Sequence, residues 1–111
     1  MSSKLDNAFI SAIYHEAMKK RLYTNSELIR GLDYAHHNRG SLQRSVSCGC
    51  FNCQNILLAN DIRDYRLEED GDFTAICPYC QEESIIGDDA VYPIKKAYLK
   101  ELKEFACGWQ K

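Results

Sequence analysis

The chain has 111 residues, 45% of them hydrophobic and 27% charged, and its 14 basic and 16 acidic side chains leave a formal net charge of −2. A chain of that length forms one domain and buries about two-thirds of the surface its unfolded form exposes. Composition excludes a disordered or low-complexity chain, and no stretch approaches the roughly 18 consecutive apolar residues a membrane span needs.

The N-terminal run Ala8 to Tyr14, "AFISAIY", stops at His15-Glu16 without the flanks of a leader peptide. The expectation is therefore a cytoplasmic protein with reduced thiols, where closely paired cysteines bind metal or do redox work. Residues 4 to 22 place Leu5, Ala8, Phe9, Ala12 and Ile13 on one helical face, with Lys19-Lys20-Arg21 near the end, where cations suit the helix dipole. Thr24 and Glu27 have the spacing of a capping box. They predict a second helix from about Asn25 to His37, with a continuation towards Leu42 and Val46.

Residues 48 to 91 have a different character. "NILLA", "DFTAIC" and "ESIIGDD" read as short strands, "NDIRDYR" as a helical turn capped by Asn60, and Glu68-Glu69-Asp70-Gly71-Asp72 as an exposed turn. Beyond them, Pro93 suits a first helical position. Ile94, Tyr98, Leu102 and Phe105 form a stripe, and Gly108 suits a helix end. Tyr92 and Trp109 are expected to pack against the middle of the chain, and Cys107 to serve as a small packing residue.

The cysteine spacing carries the chemistry. Cys50-Phe-Asn-Cys53 and Cys77-Pro-Tyr-Cys80 are two C-x-x-C pairs with 23 residues between them. Two residues between thiolates let one tight turn aim both sulfurs at a single ion, and two such turns make the closed four-thiolate site of structural Zn2+. Cys48 competes with Cys50, but the C-x-x-C half of "CGCFNC" provides the better turn. Three histidines, His15, His36 and His37, are read as ordinary helical residues. Cys-Pro-Tyr-Cys also fits a thiol oxidoreductase, whose first cysteine sits at the start of a long helix. Here Gly87-Asp88-Asp89 breaks the chain too soon, and Glu82-Glu83 opposes thiolate formation.

"CGCFNC", "TAICPYCQEESIIGDDAVYP" and "IKKAYLKEL" together resemble a family of small bacterial zinc-ribbon proteins described as cytoplasmic proteins. The pattern covers residues 48 to 105, with Gln81 where a glycine commonly follows the second pair. The resemblance implies a zinc ribbon flanked by helices, no enzymatic activity, and an occurrence of some members near toxin–immunity loci.

The expected fold is α+β: one domain over 1–111, with a helical part (1–47) of two helices, a four-cysteine zinc ribbon with short strands (48–91), and a C-terminal helix (92–111). Residues 61 to 90 hold ten carboxylates against two arginines, a net of −8, whereas 1–47 and 91–111 are each +3. Phosphate is repelled by such a ribbon. The expected function is therefore a non-enzymatic, zinc-binding protein-interaction module, an immunity protein against a toxin being one form of it. Its partner would carry a basic surface and meet Glu68, Glu69, Asp70 and Asp72. A nucleic-acid-associated regulator is the alternative, with the thiol oxidoreductase behind it.

Overall fold

The structure is a computed structural model that describes residues 22–108. All but Leu22 of the helix expected over 4–22, and Trp109, lie outside the described residues. From Thr24 onwards the order is α1 (Asn25–Asp33), α2 (Arg39–Gln43), β1 (Ser47–Cys50), β2 (Ile56–Leu58), a 3-10 turn (Ala59–Asp61), β3 (Tyr65–Leu67), β4 (Phe73–Ala75), β5 (Ile85–Gly87) and α3 (Lys96–Gly108). Mixed helices and small antiparallel sheets are thus present. None of the helices among the described residues is long and apolar enough to cross a membrane.

The capping box forms as the spacing predicts. Glu27 N–H donates to Thr24 Oγ1 at 3.1 Å and Thr24 N–H donates to Glu27 Oε1 at 2.7 Å, which satisfies two free donors of the first turn. The helix does not continue to residue 42. It ends at Asp33, and His37 adopts a left-handed φ of 51° before α2 begins.

Asn38 explains the break. Only 1% exposed, its carboxamide donates to Tyr34 O (3.0 Å) and Ile85 O (2.7 Å), and its oxygen accepts Ala75 N–H (2.9 Å). One side chain therefore joins the α1–α2 corner to β4 and β5, which belong to different sheets. Satisfying those buried backbone groups outweighs one more turn of helix.

Strand β1 is the centre of the sheet β2-β1-β5, antiparallel to both neighbours, with Gly49 opposite Ile56 on one side and Ile86 on the other. Strands β3 and β4 form a separate hairpin. β5 is buried on both faces: Ile85 joins a cluster with Leu42, Cys48 and Cys77, while Ile86 joins one with Leu28, Tyr98 and Leu102. Period-two alternation sends neighbouring side chains to opposite faces, so a continuous apolar run is what this position requires.

Helix α3 covers the Gly49 face of the sheet. A Cβ built on Gly49 would lie 2.8 Å from both Ile94 and Leu99 side chains, so the close approach needs glycine. α3 starts at Lys96 rather than Pro93, because Tyr92 and Pro93, joined by a cis peptide, belong to the preceding bend. The expected stripe does face inward through Tyr98 and Leu102, with Leu99 beside them. Tyr98 donates to Glu27 O at 2.6 Å, and burial pushes its phenol up to about 12. Glu101, 6% exposed, accepts the N–H groups of Leu22 (2.6 Å) and Tyr23 (3.2 Å), which satisfies its carboxylate and pins the entry to α1.

Two packing expectations are corrected. Cys107 is exposed, because it sits about 140° around the helix from Leu102 at 100° per residue. Tyr92 is 82% exposed and does not pack on the sheet.

Asp88 closes the corner after β5. Its oxygens accept Val46 N–H (3.0 Å), Ser47 N–H (3.1 Å) and Ser47 Oγ (3.1 Å). Partial desolvation works to raise its carboxyl, but the bonds from Ser47 and Val46 outweigh it and hold the group below its ordinary 3.8. A depressed carboxyl contributes stability above its ordinary value and loses it as pH falls through the folded value. Asp88→Asn is therefore expected to cost about 1–2 kcal/mol at neutral pH. In thermal melts across pH, the gap between wild type and variant should shrink towards acid; a gap constant down to pH 3 would remove this role.

Candidate metal centre

Both C-x-x-C segments fold into the same turn. In the first, Gln54 N–H donates to Cys50 O at 2.7 Å and Cys50 N–H to Asn55 O at 2.9 Å. The second repeats it: Gln81 N–H to Cys77 O at 2.9 Å, and Cys77 N–H to Glu82 O at 2.9 Å. Each turn closes on a glutamine in the left-handed region, Gln54 at φ 65° and Gln81 at φ 67°. Gln81, the departure from the resembled pattern, thus adopts the conformation glycine would favour.

The two turns aim four sulfurs at one point. The Sγ atoms of Cys50, Cys53, Cys77 and Cys80 all lie within 4.8 Å of one another. Cys50 and Cys80 are 3.6 Å apart and Cys53 and Cys77 3.7 Å. These distances far exceed a disulfide bond of about 2.05 Å, and all six cysteines are free. A tetrahedron with Zn–S bonds of about 2.3 Å has S–S edges of about 3.8 Å. The donor set and its dimensions therefore fit a four-thiolate ion. Cys48 shares the buried cluster of Cys50 and Cys77 but does not belong to this group of four.

The surroundings suit negative sulfur. Cys53 N–H and Tyr79 N–H point at Cys50 Sγ and Cys77 Sγ, each at 3.4 Å, and Asn55 Nδ2 lies 3.2 Å from Cys53 Sγ. The buried Ser84 hydroxyl is 2.9 Å from Cys50 Sγ. Burial pushes the Cys48 and Cys50 thiols up to about 12 and raises Cys77 as well. Burial also works to raise Cys53, but the backbone and carboxamide of Asn55 and the neighbouring sulfurs bring it down to about 7. A dication bound here would keep all four ligands deprotonated. Asn55 and Ser84 were not legible as partners, since nothing in their spacing marks them; Asn55, two residues after Cys53, is the nearer to a signal.

The expected acidic contact residues lie together on the β3–β4 turn, but they are not equivalent. Glu68 is half-buried, bound to Thr74 Oγ1 and to Arg66 Nη2 (3.1 Å). Asp70 pairs with His37 Nδ1 (3.0 Å) and accepts Asp72 N–H (3.0 Å), and Asp72 accepts Phe73 N–H (2.7 Å). Glu69 is exposed with no hydrogen bond or ion pair among the described residues. Arg66 also holds Glu83 through both carboxylate oxygens, which ties the turn to the strand approach after Cys80. His36, Glu68 and Glu83 bring ligand atoms within 4.8 Å of one another. The Arg66 guanidinium already occupies both carboxylates, so this grouping is an ion-pair network rather than a cation site.

Comparison of the chain with protein-family models, with curated proteins and with solved structures finds no match.

Proposed function

We propose that the chain is a non-enzymatic interaction module whose four cysteines hold a structural Zn2+ and whose ribbon meets a protein partner with a basic surface. The observation that carries it is the joining of the acidic turn to the cysteine platform: Arg66 grips Glu68 on one side and Glu83, three residues after Cys80, on the other. A charged surface already fixed by a metal-stapled scaffold loses little entropy on binding, and its potential steers a basic partner. Tyr79, 66% exposed on the second cysteine turn, offers an aromatic anchor beside it. The resemblance to the zinc-ribbon family adds a toxin as one partner of this kind, with the chain as its cytoplasmic inhibitor.

The oxidoreductase reading has less support. Cys77 is fully buried, and after Cys80 the chain runs into β5 instead of starting a helix. A nucleic-acid reading draws on one feature, the exposed Lys95, Lys96 and Lys100 at the start of α3.

Charge reversal separates these readings. Glu68, Asp70 and Asp72 hold the turn together, so the clean positions are Asp64, Glu69 and Glu82, exposed and without side-chain partners among the described residues. Reversing all three to lysine is expected to slow association with a basic protein recovered from the native cell by about tenfold or more at low salt, and to flatten its salt dependence. Zinc content should stay the same. Equal association rates for variant and wild type would end the acidic-contact reading, and salt-sensitive gel shifts with DNA or RNA that Lys96→Glu/Lys100→Glu abolishes would replace it.

A further inference from the structure

Away from the cysteines, the start of α1, the bend before α3 and the first turn of α3 enclose an open cavity of about 340 Å³. That volume lies within the range of small-molecule sites, which combine apolar walls with a few convergent polar groups. Tyr23 and Tyr98 meet edge to face on one side, with ring centroids 4.9 Å apart and planes at 78°, and Pro93 forms part of the wall. Tyr98 is locked by its bond to Glu27 O, so this wall is preorganised.

Two cations reach the same space. Arg30 donates its Nε to Ala90 O at 2.8 Å, which fixes the guanidinium at the cavity edge, and its terminal nitrogens have no other hydrogen-bond partner among the described residues. Lys95 lines the cavity, and its ammonium has no ion pair or hydrogen bond among the described residues. The one carboxylate present, Glu27, already accepts Thr24 N–H in the capping box. Tyr92, 82% exposed, stands at the mouth with its ring uncovered.

We propose that this cavity binds a carboxylate carried on a flat apolar body, with the ring against Tyr23 and Pro93 and the carboxylate between Arg30 and Lys95. A free aromatic acid and the C-terminal aromatic residue of a peptide present that same chemistry. A guanidinium takes a carboxylate through paired N–H donors, and the lysine adds a second charge. The cavity shares no residue with the four-cysteine group, so it stands or falls independently of the zinc reading.

The test is a titration of the zinc-loaded protein followed by two-dimensional amide NMR. The probes are phenylacetate, its neutral amide phenylacetamide, and acetyl-Gly-Phe with a free or an amidated end. Saturable shifts of the Ala90, Val91 and Lys95 amides with phenylacetate are expected, with phenylacetamide at least about fivefold weaker. Lys95→Met should weaken that preference, Arg30 holding the remainder, while leaving the melting temperature, zinc content and phenylacetamide affinity unchanged. Tighter binding of free-ended acetyl-Gly-Phe than of phenylacetate would assign the site to a peptide end, and the reverse order to a free acid. No saturable shift at these amides, equal affinity for acid and amide, or a Lys95→Met protein that keeps the full preference would overturn the proposal.

Discussion

Cys77→Ser is expected to abolish stoichiometric zinc binding and to unfold the ribbon, from β1 to β5. Structural zinc contributes apparent binding free energy of about 10–16 kcal/mol in small peptides, as much as the whole net stability of a domain this size. Here the sulfurs are also part of the core: Cys50 and Cys77 are 0% exposed and pack with Ile62, Ala75 and Ile85. A serine at 77 leaves an incomplete ligand set and buries a hydroxyl where sulfur packed. Strands of three or four residues cannot compensate, since isolated strands of that length are marginal in water. Circular dichroism and metal analysis of the purified variant, beside a chelator-treated wild type, check this. Cys48→Ala is the control: its sulfur lies outside the group of four, so one zinc per chain should remain. A folded Cys77→Ser protein with unchanged zinc would defeat the assignment.

Asn38→Leu is expected to be the most damaging substitution away from the cysteines. It keeps roughly the same volume but strands Ala75 N–H and Ile85 O in the interior, and it removes the tie to Tyr34 O. Each buried backbone group left unpaired costs about 1–3 kcal/mol, so a loss of roughly 3–5 kcal/mol is anticipated. In a domain this small, each 1 kcal/mol moves the melting temperature by about 4–8 °C. Zinc-saturated melts should show the loss with the metal still bound, because no cysteine is touched. A shift of only a few degrees would mean that the two sheets and the helical corner are held by apolar contacts alone.

Asn38 also marks where sequence reading stopped. Thr24 and Glu27 announce α1, because a capping box is local chemistry written in two residues. The end of α1 depends on an asparagine whose three partners come from residues 34, 75 and 85, and no local pattern encodes that. Strand β1 was equally hidden: Ser47-Cys48-Gly49-Cys50 has little strand propensity, and it forms because β2 and β5 pair with it on both sides. Tyr65-Arg66 read as part of a helical turn for the same reason. The chain makes only a 3-10 turn at Ala59–Asp61 and then pairs with β4.

At the site, the grouping of the four cysteines was legible, since C-x-x-C spacing follows from the reach of one turn. The acidic surface was legible in amount but not in arrangement. Composition counts Glu68 and Glu83 as free charge, whereas both are gripped by Arg66, and Asp70 faces His37. Pairing of that kind is decided by which strands meet.

The central claim is that one Zn2+ sits among Cys50, Cys53, Cys77 and Cys80 and organises the middle of the chain. X-ray absorption at the zinc edge on the purified protein, with zinc quantified per chain, tests it most directly. The account predicts one zinc and a single shell of four sulfur scatterers at about 2.3 Å. A shell containing nitrogen or oxygen, or zinc well below one per chain in protein that is nonetheless folded, would contradict it.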